Sequence, residues 1–399
     1  MNARVLENLC ELVVDCKNRT PPEAPPGEGV AFAIGTPHVL DGRIRLQDAK
    51  PVTQETFDTW TARAVPRAGD IVLTREAPVG RVGRIEAGMR ICLGQRTMLL
   101  RADSKHTDAR YLKYLLLSPE VQSTLHAHAS GSTVAHLRVA QVRTLPIPPV
   151  PQLEAQRAIG DVLGALDNKI AVNERIAATA RELSLTLYSQ SLDDDDSVEV
   201  VVESVAIALT RGVAPKYTDS SDELTVLNQK CIRYGRVNLE PSRLTLREKV
   251  KPPKLLQLND VLVNSTGVGT LGRVARWTSD LDATVDSHIT IVRFNEDKVD
   301  PVCAGFAMLR AQPEIEAMGE GSTGQTELRR SQVGELELTL PGPAGQKELR
   351  PKLDALEKRA DQALRESLAL AALRDALLPQ LMSGKLRVRA AEQIVEAAV

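Results

Sequence analysis

At 399 residues, with 43% hydrophobic and 26% charged residues, the chain has an ordinary globular composition and predicts two to three domains. The 3% aromatic content argues against stacking platforms for single strands, and no apolar run approaches the ~20 residues of a membrane span. A formal net charge of −2 excludes a generic basic sink for nucleic acid, while five scattered cysteines (Cys10, Cys16, Cys92, Cys231, Cys303) with no CxxC pair predict a reducing cytoplasm, no zinc site and no disulfide framework.

Residues 1–8 lack the apolar core of a signal peptide. Residues 1–150 read as mostly β with short helices. Candidate strands are 30–34, 70–74, 81–85 and 96–101; candidate helices are 111–117 and 119–128. Pro146, Pro148, Pro149 and Pro151 then form a hard stop, because proline fixes φ and removes donors. The period changes after it. Ile159, Leu163, Leu166, Ile170, Asn173, Ala177 and Ala180 alternate spacings of four and three, the seam of a coiled coil. Leu183 and Leu187 are expected to continue it with a one-residue slip. About 40 helical residues make a rod of roughly 60 Å. Asn173 sits on the seam, where it either fixes register or faces solvent from a frayed stripe.

The run Asp193 to Asp196 reads as a solvated linker. Beyond it the chain repeats its first half at an offset of 189–191 residues. Gly131-Ser132-Thr133 returns as Gly321-Ser322-Thr323. Leu137-Arg138 with Gln141-Val142 returns as Leu328-Arg329 with Gln332-Val333. Residues 69–74 match 259–264, and 79–85 are matched with 268–274. Pro341 and Pro343 make the second stop. Leu349, Leu353, Leu356, Ala360, Ala363, Ser367, Leu370, Arg374, Leu377 and Leu381 then carry a second four-three seam, closed by Ser383-Gly384. A repeat this long is a duplicated domain plus helix, not a solenoid unit. Neither stripe suffices alone, so each helix is the expected partner of the other, antiparallel.

Most catalytic motifs fail on context. Gly267 to Gly272 matches GxGxxG, but residues 273–277 read as a strand, and a dinucleotide site needs a helix there. A hairpin turn is expected instead. His126, His128 and His136 lack carboxylate or cysteine companions at ligand spacing. No GxSxG, HExxH or P-loop appears, so no catalysis, no metal and no cofactor are expected.

The polar inventory suits a reader of DNA. The first copy offers Lys17, Arg19, His38, Arg43, Arg75, Arg96, Ser132, Thr133 and Arg138 in turns or at strand ends. The second offers Arg211, Lys216, Tyr217, Lys230, Arg233, Asn264, Ser265, Thr323, Gln325, Thr326 and Arg329. Arg forks onto guanine, Asn and Gln onto adenine, and Ser and Thr contact phosphates or base edges. Arg243, Arg247, Lys249, Lys251 and Lys254 form a basic run that reads equally as a phosphate track or a solvated face. The charge is uneven: 19 Lys/Arg against 15 Asp/Glu over residues 1–150, but 17 against 24 over residues 193–343.

Taken in order, several motifs resemble the specificity (S) subunit of type I restriction–modification systems, over essentially the whole chain. They are Gly69-Asp70-Ile71-Val72-Leu73-Thr74-Arg75 with Pro78-Val79-Gly80-Arg81-Val82-Gly83, and Tyr111-Leu112 leading to Ser118-Pro119-Glu120. Leu145-Pro146-Ile147-Pro148-Pro149-Val150-Pro151-Gln152-Leu153-Glu154-Ala155-Gln156 comes next, and the last is Leu373 to Leu386. The resemblance implies an α+β fold with two similar β-rich target-recognition domains joined by two long antiparallel helices, a coiled-coil spacer with pseudo-two-fold repeat. The expected division is 1–150 for the first recognition domain, 151–192 for the central spacer helix, 193–343 for the second recognition domain, 344–390 for the C-terminal spacer helix and 391–399 for a tail. It also implies double-stranded DNA as ligand, each domain reading half of a split asymmetric site. Two modification (methyltransferase) subunits would dock on the helices, and restriction subunits can join for cleavage. Pro341-Gly342-Pro343-Ala344-Gly345-Gln346 departs from the fuller stretch in the first copy and leaves the second helix start open. The alternative reading is a protein-binding scaffold with paired helices, which the acidic second domain favours.

Overall fold

The computed structural model describes residues 5–17, 19–40, 42–129, 135–193, 196–319 and 327–398. Chain contacts divide it into a unit of Met1–Asn173 with Arg365–Val399 and a unit of Glu174–Leu364. Among the described residues no helix is long and apolar enough to cross a membrane.

The first unit runs β1 (Cys10–Asp15), β2 (Ala31–Ile34), β3 (Val39–Leu40), β4 (Gly42–Ile44), β5 (Lys50–Val52), α1 (Gln54–Thr61), β6 (Ile71–Arg75), β7 (Val79–Arg84), β8 (Ile91–Leu93), β9 (Thr97–Ala102), α2 (Ala109–Leu117), α3 (Pro119–His128) and α4 (Val139–Arg143), then enters α5 (Leu153–Gln190). Its main sheet has the order β1-β9-β6-β7-β4-β3, and β5-β2-β8 form a second sheet. The central strand β6 is apolar on both faces. Ile71 and Leu73 enter a core with Leu112, Leu116 and Leu163, whereas Val72 enters another with Ile34, Ile85 and Ile91, the alternation a pleated strand imposes.

The second unit holds β10 (Val198–Val201), α6 (Val202–Val205), β11 (Ala206–Arg211), β12 (Tyr217–Thr218), β13 (Leu224–Leu227), β14 (Ile232–Arg233), β15 (Arg236–Val237), β16 (Arg243–Thr245), β17 (Val261–Asn264), β18 (Val274–Arg276), β19 (Ala283–Val285), β20 (Ile289–Phe294), α7 (Pro301–Arg310), α8 (Gln312–Ala317), α9 (Arg330–Gly334) and β21 (Glu337–Leu340) before α10 (Pro343–Met382). Its sheet β11-β20-β17-β18 reproduces β1-β9-β6-β7. Val261 and Val263 again face one core and Leu262 another.

The repeat extends to individual bonds. Asp70 takes both Nε and Nη2 of Arg101 at 2.7 Å; Asp260 takes both from Arg293 at 2.7 Å. Each carboxylate also accepts a backbone N–H three residues before it, from Arg67 and Gln257. Gly69 and Asn259, the preceding residues, both have positive φ, 92° and 69°, a conformation glycine and asparagine tolerate best. The strand register corrects one match. Ile71 pairs with Arg84 and Val261 with Arg276. Val274-Ala275-Arg276 is therefore the counterpart of Val82-Gly83-Arg84, and the second hairpin loop is two residues longer. The expected turn occupies residues 267–272, followed by strand β18 rather than a helix.

The helix starts are equivalent too. The Gln156 carbonyl accepts from the Asp108 N–H at 3.0 Å, and its amide donates to the Pro151 carbonyl at 2.9 Å. Gln346 does the same for Asp300 at 2.8 Å and Pro341 at 2.7 Å. Both glutamines are the fourth residue of their helix, so the shortened second proline stretch keeps the side chain that ties the helix start to its domain. Pro343 takes the first helical position, where its missing N–H costs nothing.

Within each unit the two helix segments run antiparallel. In the first, Asp167 meets Arg374 at 2.8 Å and Lys169 meets Glu366 at 3.3 Å. In the second, Ala177 and Ala180 cluster with Ala360. Every seam residue of α10 expected from the pattern is buried or half-buried. The α5 seam needs correction at its end. Ser184 and Tyr188 are buried, and Leu183 is 44% exposed. The helix keeps its phase through 180 and 184, and Leu187 is half-buried against the second unit's core beside the fully buried Tyr188, so the expected continuation fails at Leu183 alone. Asn173 is buried rather than solvent-facing, as is Ser367; Asn173 Nδ2 and Ser367 Oγ have no hydrogen-bond partner among the described residues. The second helix ends at Met382, and α11 (Val388–Glu396) is a separate helix whose Ala391 and Val395 join the first unit's core. It covers residues that the sequence pattern divided between spacer helix and tail.

Each domain grips the helix that follows it through cations on carboxylates. On α5, Asp167 accepts from Lys113 and Tyr114 of α2, both at 2.6 Å, and Arg43 of β4 donates to its backbone carbonyl. Burial itself pushes the Asp167 carboxyl up, but the Lys113 ammonium and the Tyr114 and Arg374 donors hold it below the usual range. On α10, Glu357 pairs with Arg276 of β18, and Asp361 accepts from Arg236 of β15 at 2.5 Å. Burial pulls the Arg276 guanidinium down to about 10.

Candidate nucleic-acid interface

In the first unit the chain re-enters beside the end of β6. Leu137 N–H donates to the Arg75 carbonyl at 2.9 Å, Arg75 Nη1 donates back to the Leu137 carbonyl at 3.1 Å, and Arg75 Nη2 pairs with Asp15 at 2.9 Å. Arg96, at φ 69°, lies beside it and pairs with Glu76 at 3.6 Å. Arg138 follows as the exposed residue before α4, its N–H held by the Gln141 carbonyl at 2.8 Å. Arg75, Arg96 and Arg138 therefore converge on one strand end. Lys17 and Arg19 gather at Trp60: the Lys17 ammonium lies 4.5 Å over the ring, and the indole N–H donates to the Arg19 carbonyl at 3.2 Å. His38 Nδ1 accepts the Gly35 N–H at 3.0 Å, a local turn bond. Arg43 faces α5 instead of joining these groups.

The second unit repeats the tie with a different donor. Leu328 N–H donates to the Ser265 carbonyl at 2.8 Å, and Arg211 of β11 reaches the Leu328 carbonyl at 2.7 Å and Glu327 at 3.0 Å. Arg329 N–H is held by Gln332 at 2.8 Å, as Arg138 is by Gln141. Tyr217 is half-open beneath Arg243, whose guanidinium stands 3.5 Å over its ring. Lys216, Lys230 and Arg233 are exposed. Asn264 and Ser265 are fully buried. The Asn264 amide donates to the Gln229 and Thr270 carbonyls at 3.0 Å each, and Ser265 Oγ meets Thr290 at 2.6 Å. The Asn264 amide nitrogen and Ser265 Oγ serve the framework, and Asn264 Oδ1 is buried with no hydrogen-bond partner among the described residues. Ser132, Thr133, Thr323, Gln325 and Thr326 lie outside the described residues.

The basic run disperses. Arg247 pairs with Asp282 at 2.9 Å and Lys249 with Glu248 at 3.1 Å. Lys254 turns inward to Thr210 Oγ1 and the Arg211 carbonyl. Together with Arg211, Arg329 and Arg330 it lines a cleft of about 620 Å³. Burial lowers the pKa of Lys254 and of Arg211, and the Arg330 charge lowers both further; Glu327 opposes this at Arg211. Arg330 was not singled out in the sequence, although it adjoins the repeated Leu-Arg. Also missed was the chain from Gln229 to Thr266 at 2.6 Å and Thr266 to His288 at 2.8 Å. Among the described residues no three His, Cys, Asp or Glu side chains gather as a metal site.

Residues 30–181 match the family described as type I restriction modification DNA specificity domain. A putative type I restriction enzyme MjaX specificity subunit from Methanocaldococcus jannaschii is 21% identical over 350 residues, 80% of this chain and 79% of that protein. The crystal structure of a type I restriction-modification system S subunit from M. genitalium is similar at a TM-score of 0.57 and 16% identity, over 96% of each chain; that likeness speaks for the fold.

Proposed function

We propose, from the match of residues 30–181 to the type I restriction modification DNA specificity domain and the chain's likeness to a putative specificity subunit, that it is the sequence-reading subunit of a type I restriction–modification complex and carries no catalytic step of its own. Residues 1–150 read one half of a split DNA site, and residues 193–343 read the other. The helices, residues 151–192 and 344–390, set the spacer and dock two modification subunits in the cytoplasm; a restriction subunit joins for cleavage. The observation that carries this reading is the duplicated frame with unlike edges. The Asp–Arg pairs, the glutamine bonds to the capping N–H and the proline carbonyl, and the backbone N–H ties of Leu137 and Leu328 recur in both copies. The polar groups around them differ: Asp15 ends β1 where Arg211 ends β11. A shared frame with different edge chemistry suits two readers of different sequences. A protein-binding scaffold would leave that pattern without a purpose.

The test is methylation mapping with the full chain and its modification subunits. The expected motif is two short half-sites separated by a fixed gap. Exchanging residues 1–150 for those of another specificity subunit should change one half-site and leave the other half-site and the gap unchanged. A single contiguous motif would overturn the two-reader assignment.

A further inference from the structure

We propose that the cleft formed by Arg211, Lys254 and Arg330 in the second unit is a phosphate site that grips one backbone phosphodiester of duplex DNA. The proposal rests on the DNA-reading function above and names a contact within it.

Three features carry it. First, among the described residues the cleft gathers four cations, with Arg329, against one exposed carboxylate, Glu327. The Lys254 ammonium donates to Thr210 Oγ1 and the Arg211 carbonyl, which hold it beside its neighbours. Like charges held together cost free energy unless an anion joins them. Second, the four cationic side chains are donors only, and the Thr210 and Ser331 hydroxyls that also line the cleft can donate beside them. A phosphate oxygen accepts from all of them, whereas a base edge presents donors as well. Among the described residues no aromatic side chain lines the cleft, so they offer no stacking platform for a free nucleotide. Third, the duplicate lacks it. By strand register Asp15 stands where Arg211 does, and by the paired caps Val139 stands where Arg330 does. The cleft is therefore no part of the shared frame. It supplies local positive charge to the domain whose 24 Asp/Glu outnumber its 17 Lys/Arg.

Arg330→Gln is the decisive variant, because Arg330 is exposed and its loss leaves the frame bonds intact; Lys254→Met is the second. The full chain, assembled with its modification subunits, is titrated with a duplex carrying the mapped motif and with an unrelated duplex, across a salt series. Arg330→Gln should weaken both by the same factor, on the order of tenfold at low salt. It should flatten the slope of log K against log salt by about one and leave the methylated motif unchanged. Unchanged affinity and slope in both variants overturns the site. A changed base in the motif overturns it too, because the residue then reads sequence. Inorganic phosphate, titrated calorimetrically against the full chain, separates the sources. Tight phosphate binding lost in Arg330→Gln, with duplex affinity unaffected, assigns the cleft to a free anion and overturns the backbone contact. If wild type binds neither duplex, the DNA-reading function itself fails, and the backbone contact is overturned with it.

Discussion

The two units solve one problem, holding a domain on a helix, with the charge delivered from different places. In the first, Lys113 on α2 reaches Asp167. In the second, the corresponding position on α7 is Gly305, five residues after the capping Asp300 as Lys113 is after Asp108. The vacated space is filled by Arg276 of β18, whose Cδ lies 2.8 Å from where a Gly305 Cβ would stand. Arg84, its counterpart on β7, instead pairs with Glu86 at 2.7 Å. The lesson is that duplication preserved the ion pair, not the residue. A buried carboxylate requires a cation, but that cation can come from any neighbouring element.

The sharpest way to break the comparison is to remove a helix carboxylate. Asp167 satisfies Lys113, Tyr114 and Arg374 at once. Asp167→Ala leaves a buried ammonium unpaired and should cost about 3–5 kcal/mol, read by chemical denaturation with hydrogen exchange in α2. The carboxyl's folded pKa lies below the ordinary 3.8. A depressed acid contributes stability that is complete above its unfolded pKa and lost as pH falls through the folded one. The gap between wild type and Asp167→Asn should accordingly be full at neutral pH and shrink below pH 3.8. A gap constant into strong acid would show that shape, not charge, matters there.

Transplanting one joint into the other tests the swap directly. Gly305→Lys alone collides with Arg276, and Arg276→Ala alone strands Glu357, whereas Asp354 keeps Arg350 at 3.7 Å. Together they rebuild the arrangement of the first unit. The double variant should be more stable than the sum of the singles by about 1–3 kcal/mol. Trp277 is buried in this unit, so its fluorescence in a Trp60→Phe background follows the second unit's unfolding. Additive losses would mean that Lys at 305 does not reach Glu357.

Where the joints coincide, the losses should coincide. Gln156→Ala and Gln346→Ala each free the equivalent capping-residue N–H and proline carbonyl, and Gln156→Ala also frees the His106 carbonyl, which its amide reaches at 3.0 Å. Each should cost about 1–2 kcal/mol, and Gln156→Ala should exceed Gln346→Ala by no more than about 1 kcal/mol, the worth of that one further bond. A disparity well beyond that, measured by thermal unfolding, would place the helix starts in different environments despite their matching bonds.

The sequence disclosed those features whose patterns are local. Strand β17 is legible from the match of residues 259–264 to 69–74 and the seams from their four-three spacing, and both emerge in the structure. The joints are not so written. No spacing rule says that the cation for Glu357 comes from β18, because that depends on an empty Cβ at Gly305. At the candidate interface, residue type misled where burial decides. Asn264 and Ser265 look like base readers, but they close a strand end inside the core. Arg330 escaped notice because the repeat drew attention to Arg329 beside it, and only the fold shows Arg330 turned toward Lys254 and Arg211.

The smallest expected effect separates helical phase from hydrophobic pattern at the end of α5. The leucines at 183 and 187 invite a shifted seam. The backbone keeps 180, 184 and 188 inside, because a shift of one residue rotates the buried face by about 100°. Tyr188 fixes that phase. It is fully buried, its hydroxyl donates to the Thr339 carbonyl at 2.8 Å, and its ring stacks with Phe306 at 6.2 Å. An apolar residue at 183 cannot compete with that anchor, so Leu183→Ala should change the second unit's stability by less than about 0.5 kcal/mol. Tyr188→Ala should cost about 3–5 kcal/mol. If both losses were comparable in denaturant unfolding, Leu183 would be in the seam and the phase through Ser184 would be wrong.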